Sequence, residues 1–378
     1  MRVCFTGDVF LGGDLSGKPC GDLVNVDVFN RADKRIINLE QPISDTLFIE
    51  DKCTLYTGSV ALQQLNDLKI DALNLANNHI QDKGLEAIGE TVGHLNNSKI
   101  GHFGAGIDIS TAAIPFSLTE EIVILSYCDF DKPYLRDVAV ANSGTPGINP
   151  LRFSKIRHDL DSLPDKTKAI LYFHWGMEHV WLPLADDIKL AKKLLEDERV
   201  ITIIGMHPHR VQGVVKHAGK KAYMCLGNFI FPNFYIKPPV QIFYPTEEER
   251  ELVKYTTKMY LPVYEPTYKK WRWVNRVSLV LDFCTETKEI NHTFVVQNDE
   301  SPHITDLKSI DLYFFRSLFR FLSLIYNLPT PVYSFFWVLH AFQVKLTWRL
   351  QIRWFHLKQL GLTRFLQKAL NYISRKFK

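Results

Sequence analysis

The chain is poor in cysteine. Six are scattered over its 378 residues (Cys4, Cys20, Cys53, Cys128, Cys225 and Cys284), and none forms a C-x-x-C pair. That argues against a disulfide framework and a thiolate-rich metal site, and for a reducing compartment. Long apolar runs are missing too. Val3 to Phe5 is too short for a secretory signal and runs straight into Gly7-Asp8. No G-x-S-x-G elbow is present, so a serine hydrolase of that type lacks its signature. There is no G-x-x-x-x-G-K-[ST] loop, and Gly12-Gly13 is not a dinucleotide fingerprint. The glycines Gly101, Gly104 and Gly106 fit a tight loop before a helix.

What is present is the balance of a folded protein, 46% hydrophobic and 23% charged. The length suits one large α/β domain with an appendage. A net charge of +4 hides an asymmetry. Lys308–Lys378 carries 12 Lys and Arg against one acid, Asp311, a net +11, while the preceding residues net −7. The same 71 residues hold 17 of the 47 aromatics, so an acidic globular unit precedes a basic, aromatic tail.

Strand-like and helix-like segments alternate over the first 300 residues. Arg2–Thr6, Arg35–Leu39, Ala72–Ala76, Ile122–Tyr127, Ala169–Phe173, Val200–Ile204 and Tyr223–Leu226 read as strands. Ile122–Tyr127 reads as one continuous apolar run but for Ser126, as in a strand covered on both faces. Leu85, Ile88, Val92 and Leu95 recur at helical steps between Gly84 and about Leu95. Ser154–Leu163 and Asp186–Glu198 read as further helices, and Val277–Phe283 with Glu289–Gln297 as an antiparallel pair. Lys237–Lys270, rich in Pro, Tyr and charge, reads as a long excursion or lid.

Five of the strand-like runs end in Asp8, Glu40, Asn78 with His79, His174, and His207 with His209. Polar sites of α/β sheets gather outside the carboxyl ends of the strands, so these residues are expected to converge. Their oxygen and imidazole donors suit hard or borderline divalent ions. Each residue alone has an ordinary explanation as a cap, a turn residue or a satisfied histidine. His207-Pro208-His209 is harder to set aside. In an extended segment both imidazoles face the same way, and Pro208 stiffens the arrangement. His102, His179 and His303 are solitary and stay outside the set.

One ordered series of motifs resembles a known family. It comprises Gly7-Asp8, Asn38-Leu39-Glu40, Ala76-Asn77-Asn78-His79 with Asp82 and Gly84, and Gly104-Ala105-Gly106. It continues with His174-Trp175-Gly176 and Glu178, His207-Pro208-His209 and Gln212, and Leu226-Gly227-Asn228-Phe229. Together these resemble the CapA family of bacterial proteins linked to capsule and poly-γ-glutamate synthesis. The resemblance implies an α/β fold over residues 1–297, a metallophosphoesterase-like sandwich of two mixed β-sheets flanked by helices. In the calcineurin-like superfamily a two-metal centre clamps a phosphoryl group and activates water. Carried over by motif, Asp8 binds a first metal and Glu40 bridges. Asn78, His174 and His207 bind a second metal, and His209 returns to the first. His79 is the acid or electrostatic partner of the leaving oxygen. Glu178 and Asn228 are candidate substrate-binding residues, and the implied cofactor is one or two ions of Mn, Zn or Fe.

Three positions depart from the superfamily pattern. Phe10 stands where a His is usual, Leu39-Glu40 where Gly-Asp is usual, and Asn77 where Gly precedes Asn-His. The first metal thereby loses a ligand. Two expectations follow: a metal-dependent phosphoesterase-type hydrolase, or a non-catalytic polymer-binding or scaffold component of capsule synthesis or export.

Residues 308–378 are expected to form an amphipathic helical appendage. Leu312–Leu328 is interrupted by Arg316 and Arg320, and Pro331–Val344 is only 14 residues long. A spanning helix needs roughly 20. Lys345, Arg349 and Arg353 form one helical stripe, and Leu346, Leu350, Trp354 and Leu357 another. That pattern suits a helix lying in a membrane interface with its cations toward anionic lipid. The expected placement is peripheral or monotopic, at the cytoplasmic face of the membrane. Other capsule-synthesis proteins are further expected partners; nucleic acid is not, given the Leu, Ile and Phe content. A chain ending near residue 300 is expected to stay folded. The competing expectation has the tail packing on the core or on another subunit.

Overall fold

The computed structural model describes residues 1–49, 53–130, 132, 135, 138–236, 266–300 and 302–376. Residues 237–265 of the expected excursion lie outside them. Its end returns as the strand Thr267–Lys269, paired antiparallel with Phe234–Ile236.

Two mixed sheets carry the fold. In spatial order the first runs Val24–Asn25, Ile304–Asp306, Ile290–Gln297, Val277–Cys284, Arg2–Val9, Lys34–Leu39, Ala72–Asn74, Gly101–Phe103, and Asn228–Ile230 also pairs with Arg2–Val9. The second runs Val214–His217, Lys220–Tyr223, Val200–Met206, Lys168–His174, Ile122–Cys128, Phe116–Ser117. Alternation along the strands builds the layers. Ile122 and Ile124 face the space between the sheets, where they join Phe5, Ile170, Ile204 and Leu281. Val123, Leu125 and Tyr127 face outward, against Ile156 and Leu160 of the helix Phe153–Asp161 and Ile188 and Leu195 of the helix Ala185–Leu195. A strand buried on both faces has no polar side, which is why it reads as one apolar run. On the other outer layer, Cys4, Ile37 and Leu73 meet Leu65, Ile88 and Leu95 of the helices Ala61–Asp67 and Glu86–Asn97.

One expected strand is displaced. Tyr223–Leu226 holds only the end of the strand Lys220–Tyr223. Leu226 instead bridges Val211, and Gly227, at φ +81°, turns the chain toward the next strand.

The tail is helical, in two parts: Ser309–Tyr326, then Thr330–Lys376 broken at Gly361. Its first helix packs into the core rather than standing apart from it. Phe315 and Phe319 join the cluster between the sheets, and Leu322, Ile325 and Tyr326, with Tyr333 of the second helix, join the outer one. This helix also covers the open edge of the second sheet. Ser323 Oγ accepts from the Val214 N–H (2.9 Å), and Asn327 Oδ1 accepts from the Lys216 N–H (2.8 Å). Edge strands need such protection because their backbone groups otherwise invite foreign pairing. Further on, the Trp181 N–H donates to His340 Nε2 at 3.1 Å. The Tyr326 and Tyr333 hydroxyls donate to the carbonyls of Trp181 and Pro183. Among the described residues, no helix is long and apolar enough to cross a membrane.

Candidate metal centre

The carboxyl ends of strands from both sheets meet at one buried locus. Asp8 nears the end of the first strand. A Cβ on Gly7 would lie 1.8 Å from the Gly227 carbonyl oxygen, so only glycine permits this approach. The Asp8 N–H donates to that same oxygen at 2.9 Å. A buried polar relay fixes one carboxylate oxygen of Asp8. Asn38 Nδ2 donates to Oδ1 at 2.8 Å, Asn74 Nδ2 donates to Asn38 Oδ1 at 2.7 Å, and the Ser126 hydroxyl donates to Asn74 Oδ1. The other oxygen, Oδ2, makes no hydrogen bond among the described residues and lies 3.3 Å from His209 Nδ1.

Glu40, fully buried, stands between two groups of side chains. Its Oε1 is 3.4 Å from His209 Nε2 and 4.0 Å from His174 Nε2. His174 Nε2 is 2.8 Å from Asn78 Oδ1, while its Nδ1 makes no hydrogen bond among the described residues. The rings of His174 and His207 are 4.7 Å apart, and those of His207 and His209 6.0 Å. Glu40, His207 and His209 each offer a donor atom within 4.8 Å of the others. All six expected ligand residues are therefore brought together. Burial, then the neighbouring His207 and His209, push His174 well below its ordinary pKa. The neutral ring keeps a lone pair for a cation. The donor set and the buried, unbonded oxygen of Asp8 fit a divalent ion.

His207-Pro208-His209 is not extended. Both histidines adopt left-handed backbone, at φ 95° and 53°. Such conformations cost about 1–3 kcal/mol each and persist only where the surroundings hold them. Here the Pro208 carbonyl accepts from the His179 N–H, and Asn275 Nδ2 donates to the His209 carbonyl, both at 2.8 Å.

Phe10, at the position where the resemblance led a ligand to be expected, packs against Phe231 at 5.5 Å and Phe234 at 5.6 Å, in a cluster with Leu55 and Trp271. It supplies no donor. Asn228, in register with Asp8, places Oδ1 2.8 Å from His209 Nδ1. His79 Nδ1 donates to Asp82 Oδ2 at 2.6 Å, and that oxygen also accepts from the Leu55 N–H. The carboxylate orients the ring and assigns the proton to Nδ1. Glu178 follows His174 in the next loop, its Oε2 3.7 Å from His179 Nε2.

Several neighbours lay outside the sequence-based set. His179 stacks 5.7 Å from His209 and 6.0 Å from Trp271. Lys269 Nζ lies 4.1 Å from the Trp271 ring centre, and the Arg210 guanidinium 4.8 Å from that of Trp181. Burial and then Arg272 push Arg210 down to about 10. Asp82 had a signal, three residues after His79. Trp271 and Lys269 had none, because only the fold brings them here.

A sandwich with carboxylate, amide and imidazole donors gathered at its strand ends defines a protein with a candidate divalent-metal centre. The chain belongs to the bacterial capsule synthesis protein family PGA_cap, whose profile matches residues 2–233. It is 25% identical over 218 residues to the PGA biosynthesis protein CapA of Bacillus subtilis, covering 54% of each chain. The capsule biosynthesis protein CapA of Bacillus anthracis is 25% identical over 164 residues, 42% of this chain and 39% of that one. A probable polyglutamine synthesis accessory protein of Mycobacterium tuberculosis is 26% identical over 225 residues, 56% of this chain and 59% of that one. The chain thus spans about half the length of the curated relatives it matches. Among solved structures, a calcineurin-like phosphoesterase, YfkN of Bacillus subtilis, aligns over 82% of this chain and 88% of its own at 11% identity and a TM-score of 0.31. The two-sheet architecture rests on the chain's own strand order.

Proposed function

We propose that this chain is a metal-dependent phosphoesterase-type hydrolase of capsule or poly-γ-glutamate synthesis, acting at the membrane. The observation that carries the reading is the donor cluster of Glu40, His207 and His209 within 4.8 Å. The names of the relatives support the process. Asp8, Glu40 and His209 would hold one ion; Glu40, Asn78, His174 and His207 would hold a second. Their donors suit Mn, Zn or Fe. A bound divalent ion supplies Lewis-acid polarisation of a phosphoryl oxygen and neutralises its charge.

The remaining roles belong to the chain's own groups. The relay through Asn38 holds Asp8 in one orientation. His79, oriented by Asp82, carries a proton at Nε2 toward the leaving oxygen. Asn228 Nδ2, buried and without a hydrogen bond among the described residues, is a donor for a substrate oxygen. Lys269 beside the Trp271 ring, Arg210 next to His209 in the chain, and Glu178 beside His179 would favour an anionic substrate that also offers a donor.

One observation favours a second reading, a non-catalytic polymer-binding component that works with other capsule-synthesis proteins. Phe10 fills a ligand position with an aromatic ring packed among others. Metal analysis of the purified full chain, followed by a phosphate-ester screen, separates the two. Bound metal with turnover supports the hydrolase. Metal-free, inactive protein that still binds poly-γ-glutamate refutes it.

A further inference from the structure

The two tail helices leave an apolar surface uncovered. On the second, Phe335 (62% exposed), Leu339 (51%), Phe342 (66%), Leu346 (46%), Leu350 (55%) and Trp354 (60%) recur at three- and four-residue steps. At 100° per residue Phe335, Leu339, Phe342 and Leu346 fall on one side, away from Tyr333 and His340, which face the core, and Leu350 and Trp354 carry the stripe round the helix beyond them. Ile310 and Tyr313 continue the exposure on the first helix, at 80% and 71%. So many exposed large apolar side chains along one helix are foreign to a monomer that meets only water.

Charge decides what covers it. By the same helical geometry, Lys345, Arg349 and Arg353 run along the flank of the stripe. With Arg316 and Arg320, they pair with no carboxylate among the described residues. A second copy docked face to face would set one +11 tail against another. An anionic bilayer offers hydrocarbon for the stripe, phosphate for the cations and an interfacial level for Trp354. No described helix can span, so the contact is with the surface. We infer that the outer face of the tail helices docks on an anionic lipid bilayer, with the stripe Phe335–Trp354 entering the interface. The inference deepens the membrane part of the proposed function and is independent of the hydrolase part.

The test is co-sedimentation of the full chain with vesicles of phosphatidylcholine, with and without phosphatidylglycerol. The chain is expected to pellet with the anionic vesicles, less in high salt but still measurably. Lys345→Gln/Arg349→Gln/Arg353→Gln should lower anionic-vesicle partitioning by about 10²-fold. Phe335→Asp/Phe342→Asp should abolish it while leaving the circular dichroism spectrum unchanged, since both side chains are exposed. His207→Ala should pellet as wild type does, so loss of the metal reading leaves this one standing. Wild-type chain that stays in the supernatant overturns the inference. So does a lipid-free dimer that Phe335→Asp/Phe342→Asp converts to monomer without any vesicle binding.

Discussion

Ending the chain at Leu307 removes six side chains from the core: Phe315, Phe319, Leu322, Ile325, Tyr326 and Tyr333, none more than 9% exposed. At about 1.5–3 kcal/mol for each fully buried large side chain, the gross loss is about 9–18 kcal/mol. Reference to an extended unfolded chain makes that an upper figure. It still matches the roughly 5–15 kcal/mol that holds a whole domain together. The cut also strips the hydrogen-bonding partners from Val214 and Lys216 at the sheet edge. Ending the chain at Lys345 keeps all six residues and both edge contacts. The 1–307 form is expected to aggregate or to lose its near-ultraviolet circular dichroism, while the 1–345 form melts cooperatively within a few degrees of the full chain. Thermal melts and size-exclusion chromatography of both check this. A 1–307 form that stays monomeric and melts at the full-chain temperature would refute the reasoning and support the boundary expected from sequence.

His207→Ala should lower metal occupancy, whereas His79→Ala should keep the metal and slow turnover by about 10²–10⁴-fold; equal metal loss in both, by elemental analysis, would show the roles misassigned. Asp82→Asn should give a smaller rate loss than His79→Ala and displace the pH–rate profile, because it removes the partner of the ring rather than the ring. Burial and then Asp129 push Asp187 up from 3.8 to about 7. The folded state therefore holds a proton that the unfolded chain releases, so this contribution to stability is full below the unfolded pKa and lost as pH rises through the folded one. Asp187→Asn should accordingly raise the melting temperature more at about pH 8 than at about pH 5; equal effects at both would contradict the assignment.

The centre was legible because most of its residues lie at the ends of apolar strands of six to eight residues, whose pattern is strong and whose ends are marked by polar residues; Asn78 and His79 follow the shorter Ala72–Asn74, where the apolar run Ala72–Ala76 outlasts the strand. Short elements left no such trace. Gly101–Phe103 and Asn228–Ile230 have three residues each, too few for a period to declare itself. The left-handed backbone at His207 and His209 could not be read either, since it is imposed by Asn275 and His179 from elsewhere in the fold. The tail was ambiguous for a different reason. Phe315 and Phe319 face protein while Tyr313 and Phe321 face outward, yet an aromatic on a helix spells the same pattern whether protein or lipid covers it. Only packing separates the two faces.

The grip of the tail on Trp181 and Pro183 has a mechanical consequence. Those residues belong to the loop that begins beyond His174 and includes Glu178 and His179. Three hydrogen bonds, from the Trp181 N–H and the hydroxyls of Tyr326 and Tyr333, couple that loop to helices whose far side is exposed. The tail therefore behaves as a lever rather than a tether. The second helix, which carries Tyr333 and His340, cannot tilt without either breaking its two bonds or carrying the loop with it, so a load applied at Phe342 would reach the loop that sets His179 against His209.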